Sequence, residues 1–310
     1  MYRLVVLVFV FASVSISHAQ LSYVRISVPG AVSTEARGIN NNGEIVGFYR
    51  TSVCGDNDLV VPNCLTKGFK YVNKTYVKLM VPNSMSTAIL GVNDLGDLVG
   101  FYAKSDGTTH GFLWLHTNVI KTIDFPGNVV FTTVPIAINK AGTIVGGLWA
   151  IISSGTFPAA GFVWKNGTFS KMNLGPVGCL ESCTSINGIS NSGVISGQAF
   201  RVGSFAGFLK ADKDIDFFKY QSGDTRFTGV NNNTDILAFS RRANAVLIGF
   251  WAKHIELGEG TNDATEVKPA FVLLNFPGGN STIPFGINDV RAIVGTYTDS
   301  NGHQQGFFAK

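Results

Sequence analysis

Six degenerate copies of one ten-residue motif run through the chain, and they constrain its fold more than any other feature. The motif reads Gly-Ile-Asn-x-x-Gly-x-Ile-Val-Gly, and its copies start 41 to 57 residues apart. The copies begin at Gly38, Gly91, Ala137, Gly188, Gly229 and Gly286. A repeat of this length is typical of solenoids and propellers, in which each unit buries its apolar face against the next.

The motif has the composition of a β-hairpin. Ile and Asn end one strand, the Asn- and Asp-rich residues turn, the sixth-position Gly supplies a positive φ, and Ile-Val begins the next strand. We expect the final Gly to permit close approach of a neighbouring sheet. Thr234 and Arg291 replace the turn glycine in the fifth and sixth copies. Those two turns are therefore expected to be looser or of a different type.

A second hairpin is predicted between successive copies of the motif. Its first strand carries a Gly-Phe pair, and its second strand often ends before a proline. The pairs are Gly68-Phe69, Gly111-Phe112, Gly161-Phe162, Gly207-Phe208, Gly249-Phe250 and Gly306-Phe307. Four short strands in roughly 50 residues match one blade of a β-propeller.

The two ends of the sequence complement each other. Residues 21–30 match the second strand of this second hairpin, and residues 305–310 match its first strand. We therefore predict an all-β, six-bladed β-propeller closed by pairing of the N- and C-terminal strands. The closing blade is expected to take three strands from the N-terminus and one from the C-terminus. An open β-solenoid and two packed sheets are the alternatives.

Residues 1–19 have the composition of a signal peptide. Arg3 gives a positive start, an apolar stretch follows, and Ala19 is a small residue of the kind that precedes cleavage. We predict cleavage after Ala19 and a single, secreted propeller domain over residues 20–310. A membrane anchor is the alternative, although about 13 apolar residues fall short of the roughly 20 that a span needs. No later segment is predicted to cross a membrane.

The even number of cysteines is consistent with an exported protein. Cys54 and Cys64 lie in one polar loop, and Cys179 and Cys183 lie in another. An even number of cysteines in an exported chain indicates disulfides, and Cys54–Cys64 with Cys179–Cys183 is the simplest of the three possible pairings. A metal site is the alternative, but it needs four thiolates from separate loops or nearby His ligands. We assign no metal and no cofactor.

The units resemble those of a known family. With Gly-Phe-Leu-Trp, Pro-Gly and the ten-residue motif in register, residues 21–310 resemble the HAF-repeat extracellular proteins of bacteria. The triplet that names the family appears as His110-Gly111-Phe112 and as Ala160-Gly161-Phe162. The resemblance implies an exported β-repeat protein and implies no reaction.

No catalytic constellation is apparent in the sequence. None of the histidines has a recognisable nucleophile and orienting group beside it. Asp94, Asp97 and Asp289 lie in repeat turns, where Asp is a common turn former, so these acids are expected to be solvated and not to converge. Residues 299–302 resemble a fragment of a calcium loop without its further acids. The net charge of +4 is spread thinly, which argues against nucleic-acid binding.

The most divergent stretch runs from Ser240 to Lys268. Because repeat proteins place function in loops, a binding loop is predicted at Arg241, Arg242, His254 and Glu256. The Cys54–Cys64 loop is the second candidate. We expect an extracellular binding or interaction module whose partner is a polysaccharide or a surface protein. The alternatives are a carbohydrate-active hydrolase or lyase, which needs converging carboxylates, and a purely structural surface protein.

Overall fold

The computed structural model describes residues 21–52, 65–127, 131–152, 155–176, 184–201, 203–220, 223–241, 246–253, 255 and 271–310. These residues form six antiparallel sheets of four strands each. The first strand of each sheet contacts the first strands of its neighbours, so the sheets close a ring. The fold is a six-bladed β-propeller, which confirms the prediction from the repeats. Among the described residues, no helix is long and apolar enough to cross a membrane.

Blades 1 to 5 each consist of four consecutive strands, ordered from the axis outward. Blades 1 and 2 contain β2 (Ser33–Ile39), β3 (Ile45–Arg50), β4 (Thr66–Val72), β5 (Thr75–Leu79), β6 (Ser86–Val92), β7 (Leu98–Ala103), β8 (Thr109–Trp114) and β9 (Ile120–Ile123). Blade 3 contains β10 (Phe131–Ile138), β11 (Ile144–Ile152), β12 (Gly155–Lys165) and β13 (Thr168–Met172).

The remaining blades continue this order. Blades 4 and 5 contain β14 (Thr184–Ile189), β15 (Ile195–Arg201), β16 (Ser204–Ala211), β17 (Asp214–Phe218), β18 (Thr225–Val230), β19 (Ile236–Arg241), β20 (Leu247–Ala252) and β21 (Phe271–Leu274). Blade 6 contains β22 (Ser281–Ile287), β23 (Ile293–Thr298), β24 (Gln304–Ala309) and, outermost, β1 (Tyr23–Ile26).

Blade 6 closes the ring by pairing the two ends of the chain. β1 runs antiparallel to β24, with Tyr23 opposite Ala309 and Ile26 opposite Gly306. Closure by the terminal strands is thus confirmed, but the expected division of the closing blade is wrong. The C-terminal end supplies three strands and the N-terminal end supplies one. The reason is that β1 is an outermost strand, with the same burial pattern as β9 and β21.

The repeated motif builds the hairpin between the first and second strands of each blade. In blade 1 the Gly43 N–H donates to the Asn40 carbonyl at 3.1 Å, and the Asn40 N–H donates to the Glu44 carbonyl at 3.2 Å. The Asn40 side-chain oxygen accepts the N–H groups of Asn42 and Glu44. The motif Asn therefore fixes the turn through its side chain as well as its backbone.

The turns that lack glycine have the same geometry. Thr234 and Arg291 take left-handed φ values of 55° and 61°. Their N–H groups donate to the carbonyls of Asn231 and Asn288 at 3.2 and 3.0 Å, as in the glycine turns. The expectation of looser or different turns is wrong, because the Asn side chain and the flanking ladder hold the same conformation.

A β-bulge interrupts the first strand of every blade, next to the motif. In blade 1 the register shifts between Ala36 and Gly38, which leaves Arg37 as the extra residue. The final glycine of the motif, Gly47, faces this bulge, and a Cβ there would lie 1.9 Å from the Glu35 carbonyl oxygen. The close approach is within one blade, so the predicted contact of this glycine with a neighbouring sheet is wrong.

The core lies between adjacent blades. The phenylalanine of each Gly-Phe pair is buried, with at most 1% of its surface exposed. The glycine beside it admits the next blade: a Cβ on Gly207 would lie 2.3 Å from the ring of Phe227. This glycine, rather than the final glycine of the motif, is where a neighbouring sheet approaches.

A threonine at the same place in each first strand joins successive blades. Its hydroxyl accepts the N–H of a residue in the segment that arrives from the preceding outermost strand, at 2.7 to 3.1 Å. The six threonines are Thr34, Thr87, Thr133, Thr184, Thr225 and Thr282. These hydrogen bonds fix where each new blade begins relative to the last.

Candidate functional site

The six first strands surround a cavity on the propeller axis. Its volume is about 430 Å³, within the range of small-molecule sites. The extra residue of each bulge lines it, namely Arg37, Leu90, Ile136, Asn187, Thr228 and Phe285. These six residues all differ, whereas the threonines and the turn residues around them recur from blade to blade. The residues of the cavity wall therefore differ from blade to blade, although the scaffold that holds them repeats.

Motif asparagines surround one end of the cavity. The Asn40 side-chain amide donates to the carbonyl of Asn93, in the next blade, at 2.9 Å. The same bond joins Asn93 to Asn139, Asn139 to Ser190, Asn231 to Asn288 and Asn288 to Asn40. Ser190 has no amide, so the ring of hydrogen bonds is interrupted there. The turns of the blades are thus tied to one another around the axis.

A second ring of polar side chains lies just outside the first. The Asp94 Oδ2 atom accepts the side-chain amides of Asn41 and Asn191 at 3.0 Å each. The Asp289 Oδ2 atom accepts the amides of Asn41 and Asn232 at 2.8 Å each. These two acids therefore converge, contrary to the expectation from sequence. In the part of the chain described, no three His, Cys, Asp or Glu side chains are placed to hold a metal ion.

Asp97 also departs from the expectation of a solvated turn residue, because only 5% of it is exposed. Burial on its own raises the pKa of this carboxyl group. Hydrogen bonds from His116 and Asn93 act in the opposite direction and hold the pKa below its ordinary value. The Asp97–His116 distance is 2.7 Å. This pair belongs to the turn and not to the cavity.

Blade 1 places Arg37 in the cavity wall, as part of a buried cluster with Arg50 and Glu35. The Arg37 guanidinium lies 3.8 Å from the centre of the Phe285 ring. Arg37 and Arg50 each approach Glu35 at 3.5 Å, which is longer than the 2.7–2.9 Å of a tight charged hydrogen bond. Burial lowers the pKa of Arg37, and Glu35 partly opposes that effect.

Blades 4 and 5 contribute a polar wall. The Arg226 guanidinium lies 4.3 Å from the centre of the Phe205 ring and 3.8 Å from Asp224. Burial lowers the pKa of Arg226, and Asp224 opposes the effect. Beside it, the Asn187 amide donates to the Phe227 carbonyl at 2.7 Å. The Arg226 guanidinium therefore lies over the aromatic ring of Phe205, in a wall of polar groups.

Blades 2 and 3 form an apolar wall on the other side of the axis. Leu90 and Val134 pack in one cluster with Ile136 and Trp149, and all four line the cavity. Among the described residues, the Trp149 indole N–H has no hydrogen-bond partner, and neither does the Thr228 hydroxyl on the polar wall. A buried polar group without a bond costs about 1–3 kcal/mol. The cavity is amphipathic, and it has two unsatisfied polar groups in its wall.

The predicted binding loop is described only at Arg241. This residue is exposed at the end of β19, two residues beyond Phe239, which lines the cavity. Arg242, His254 and Glu256 lie outside the described residues, as do residues 1–19 and the cysteines, which are Cys54, Cys64, Cys179 and Cys183. The signal peptide and the disulfides stay predictions.

His110, which directly precedes the Gly111-Phe112 pair, lies in a chain of hydrogen-bonded side chains. His110 is 2.7 Å from Asp124 and 2.9 Å from the Thr108 hydroxyl. That hydroxyl donates to Asp106 at 2.6 Å. Because its proton points to Asp106, Thr108 is not arranged as a nucleophile with His110 as its base.

The comparisons with known proteins agree on the fold alone. Neither a protein-family model nor a curated protein matches the sequence. The structure is similar to the SapL1 lectin in complex with alpha methyl fucoside, with a TM-score of 0.54, 8% identity and coverage of 90% of this chain and 93% of that one. It is also similar to TolB from Acinetobacter baumannii, with a TM-score of 0.50 and 10% identity.

The alignment with TolB spans 86% of this chain but only 64% of the TolB chain. The propeller domain of the Trilobed protease from Pyrococcus furiosus matches with a TM-score of 0.49 and 8% identity, over 90% of this chain and 94% of that domain. The SapL1 lectin and TolB share this architecture, so function has to be argued from the site and not from the fold.

Proposed function

We propose that the chain is a secreted binding module of the HAF-repeat type, and that it holds one small ligand, or the end of a longer one, in its central cavity. The observation that carries this proposal is the contrast between the repeated scaffold and the six different bulge residues in the cavity wall. A module with one site per blade would repeat its contact residues. At the far end the axis narrows to a second cavity of about 60 Å³ that the polar rings line, so the main cavity offers the room for one small ligand or for the end of a longer one.

A carbohydrate is the first ligand class to test, because the SapL1 lectin binds alpha methyl fucoside on a similar fold. The test is a thermal-shift panel of methyl glycosides, bacterial oligosaccharides and small organic acids. A ligand at 100 times its dissociation constant adds about 2.7 kcal/mol to the free energy of unfolding.

Two variants locate the site. Ile136→Trp fills the cavity from a bulge position, and Val24→Trp adds the same ring on the exposed outermost strand. We expect the stabilising ligand to lose its effect on Ile136→Trp and to keep it on Val24→Trp. Equal shifts in both variants would move the site away from the axis.

A further inference from the structure

The cavity wall carries its charge on one side. In the ion pairs of blades 1 and 5, three arginines share two carboxylates, which are Glu35 and Asp224. The exposed Arg241 is close enough to Arg226 for its positive charge to lower the pKa of Arg226. This side of the cavity therefore has an excess of positive charge, whereas the polar ring at the far end carries Asp94 and Asp289.

Arg226 is the arginine best placed to receive an anion. Its guanidinium is stacked on Phe205, and its distance of 3.8 Å to Asp224 is too long for a tight bidentate pair. Thr228, two residues along the same strand, is 6% exposed, and no described residue forms a hydrogen bond with its hydroxyl. An arginine that is already oriented loses little freedom when a planar carboxylate binds.

The opposite wall offers no charge and few hydrogen bonds. Blade 2 stands across the axis from blade 5 in the six-blade ring, and its bulge residue is Leu90. Ile136 and Trp149 of blade 3 extend the same apolar surface. A sugar carries hydroxyl groups around the edge of its ring, and these would lose their hydrogen bonds to water against Leu90 and Ile136, so this wall fits a hydrocarbon or aromatic group better than it fits a sugar.

We infer that the ligand is an amphipathic carboxylic acid, with its carboxylate on Arg226 and Thr228 and its apolar body against Leu90, Ile136 and Trp149. This inference rests on the proposed function, because it names the ligand class of the same cavity. The carboxylate shares Arg226 with Asp224, whose contact with the guanidinium is loose at 3.8 Å, and the apolar body covers the wall of blades 2 and 3.

The test compares a matched acid and amide on the full mature protein. We expect 4-phenylbutyrate to bind at least tenfold more tightly than 4-phenylbutyramide and more tightly than glucuronate, as measured by titration calorimetry. Arg226→Gln is expected to reduce the affinity for the acid to that for the amide and to leave the amide unchanged. Arg25→Gln, on the exposed outermost strand, removes the same charge and is expected to change neither affinity.

Each failure has a distinct signature. Equal affinities for the acid and the amide on the unmodified protein overturn the carboxylate assignment, and they need no variant to fold. If glucuronate or methyl fucoside binds more tightly than 4-phenylbutyrate, the assignment of an apolar ligand body is overturned, while the cavity remains the binding site. If none of these compounds binds, or if Ile136→Trp binds them as well as the unmodified protein does, the proposed function itself fails.

Discussion

At Arg291 the sequence departs from the repeated motif, but the turn keeps its conformation. Its left-handed backbone costs a non-glycine residue roughly 1 kcal/mol. Its Nε atom lies 2.9 Å from the carboxylate of Asp235 in the preceding blade, which is completely buried. The ion pair between blades explains why an arginine is stable where four other blades have glycine.

We expect Arg291→Gly to lower the free energy of unfolding by about 1–2 kcal/mol, because loss of the arginine beside a buried carboxylate outweighs the relief of strain. Urea unfolding measures the change. The double variant with Asp235→Asn is the control, and it should regain most of the loss. A single variant more stable than the parent would contradict the account.

Asp97 gives a prediction on pH. Its pKa is lowered from the ordinary value of 3.8 in the folded protein, so the carboxylate stabilises the fold above that pH and loses its contribution as the pH falls through the folded-state pKa. We expect the excess unfolding free energy of the parent over Asp97→Asn, measured first at pH 5, to shrink from about one unit above the unfolded-state pKa downward and to vanish below the folded-state pKa. Parallel curves down to pH 3 would be inconsistent with the depressed pKa.

At the scale of the element, the threonine hydrogen bond sets the start of each blade. Thr34 accepts the Val28 N–H at 3.1 Å and is completely buried. We expect Thr34→Val to lower the free energy of unfolding by about 1–3 kcal/mol, because it leaves that N–H without an acceptor. Thr34→Ser keeps the hydroxyl and should cost less. Equal losses in the two variants would assign the effect to packing.

The hairpins were predictable from sequence, but the bulges were not. Asn, Gly and the Ile-Val pair signal a turn within ten residues, and the signal holds even at Thr234. The bulge depends on how the first strand pairs with the second, which the sequence does not show. For this reason the final glycine of the motif was predicted to face a neighbouring sheet, whereas it faces the bulge of its own blade. One signal was available: the residue before the motif differs in every repeat, and it is Arg37 in the first and Phe285 in the last.

At the scale of the whole molecule, the closing strand holds the ring. Ile26 of β1 is 2% exposed, whereas Val24 on the same strand is 54% exposed. We expect Ile26→Ala to cost about 2–4 kcal/mol of unfolding free energy and Val24→Ala to change it by less than about 0.5 kcal/mol. Thermal or urea unfolding distinguishes them. A similar cost for both would mean that β1 does not pack as described.

The number of blades follows from the number of motifs, because each motif builds one hairpin and each blade needs one. The cavity could not be read from the sequence in the same way. Its wall combines Arg37, Thr228 and Trp149, which are far apart along the chain and meet only when the ring closes. The sequence pointed instead to the insertion after Arg241, where charge is dense locally.

The most direct test of the central claim is the number of binding sites per chain. Isothermal titration with the ligand that gives the largest thermal shift measures it, on the parent and on Ile136→Trp. A single cavity predicts one site per chain, which Ile136→Trp abolishes while its thermal unfolding stays cooperative. Several equivalent sites per chain, or one site that survives the filled cavity, would contradict the assignment of the site to the propeller axis.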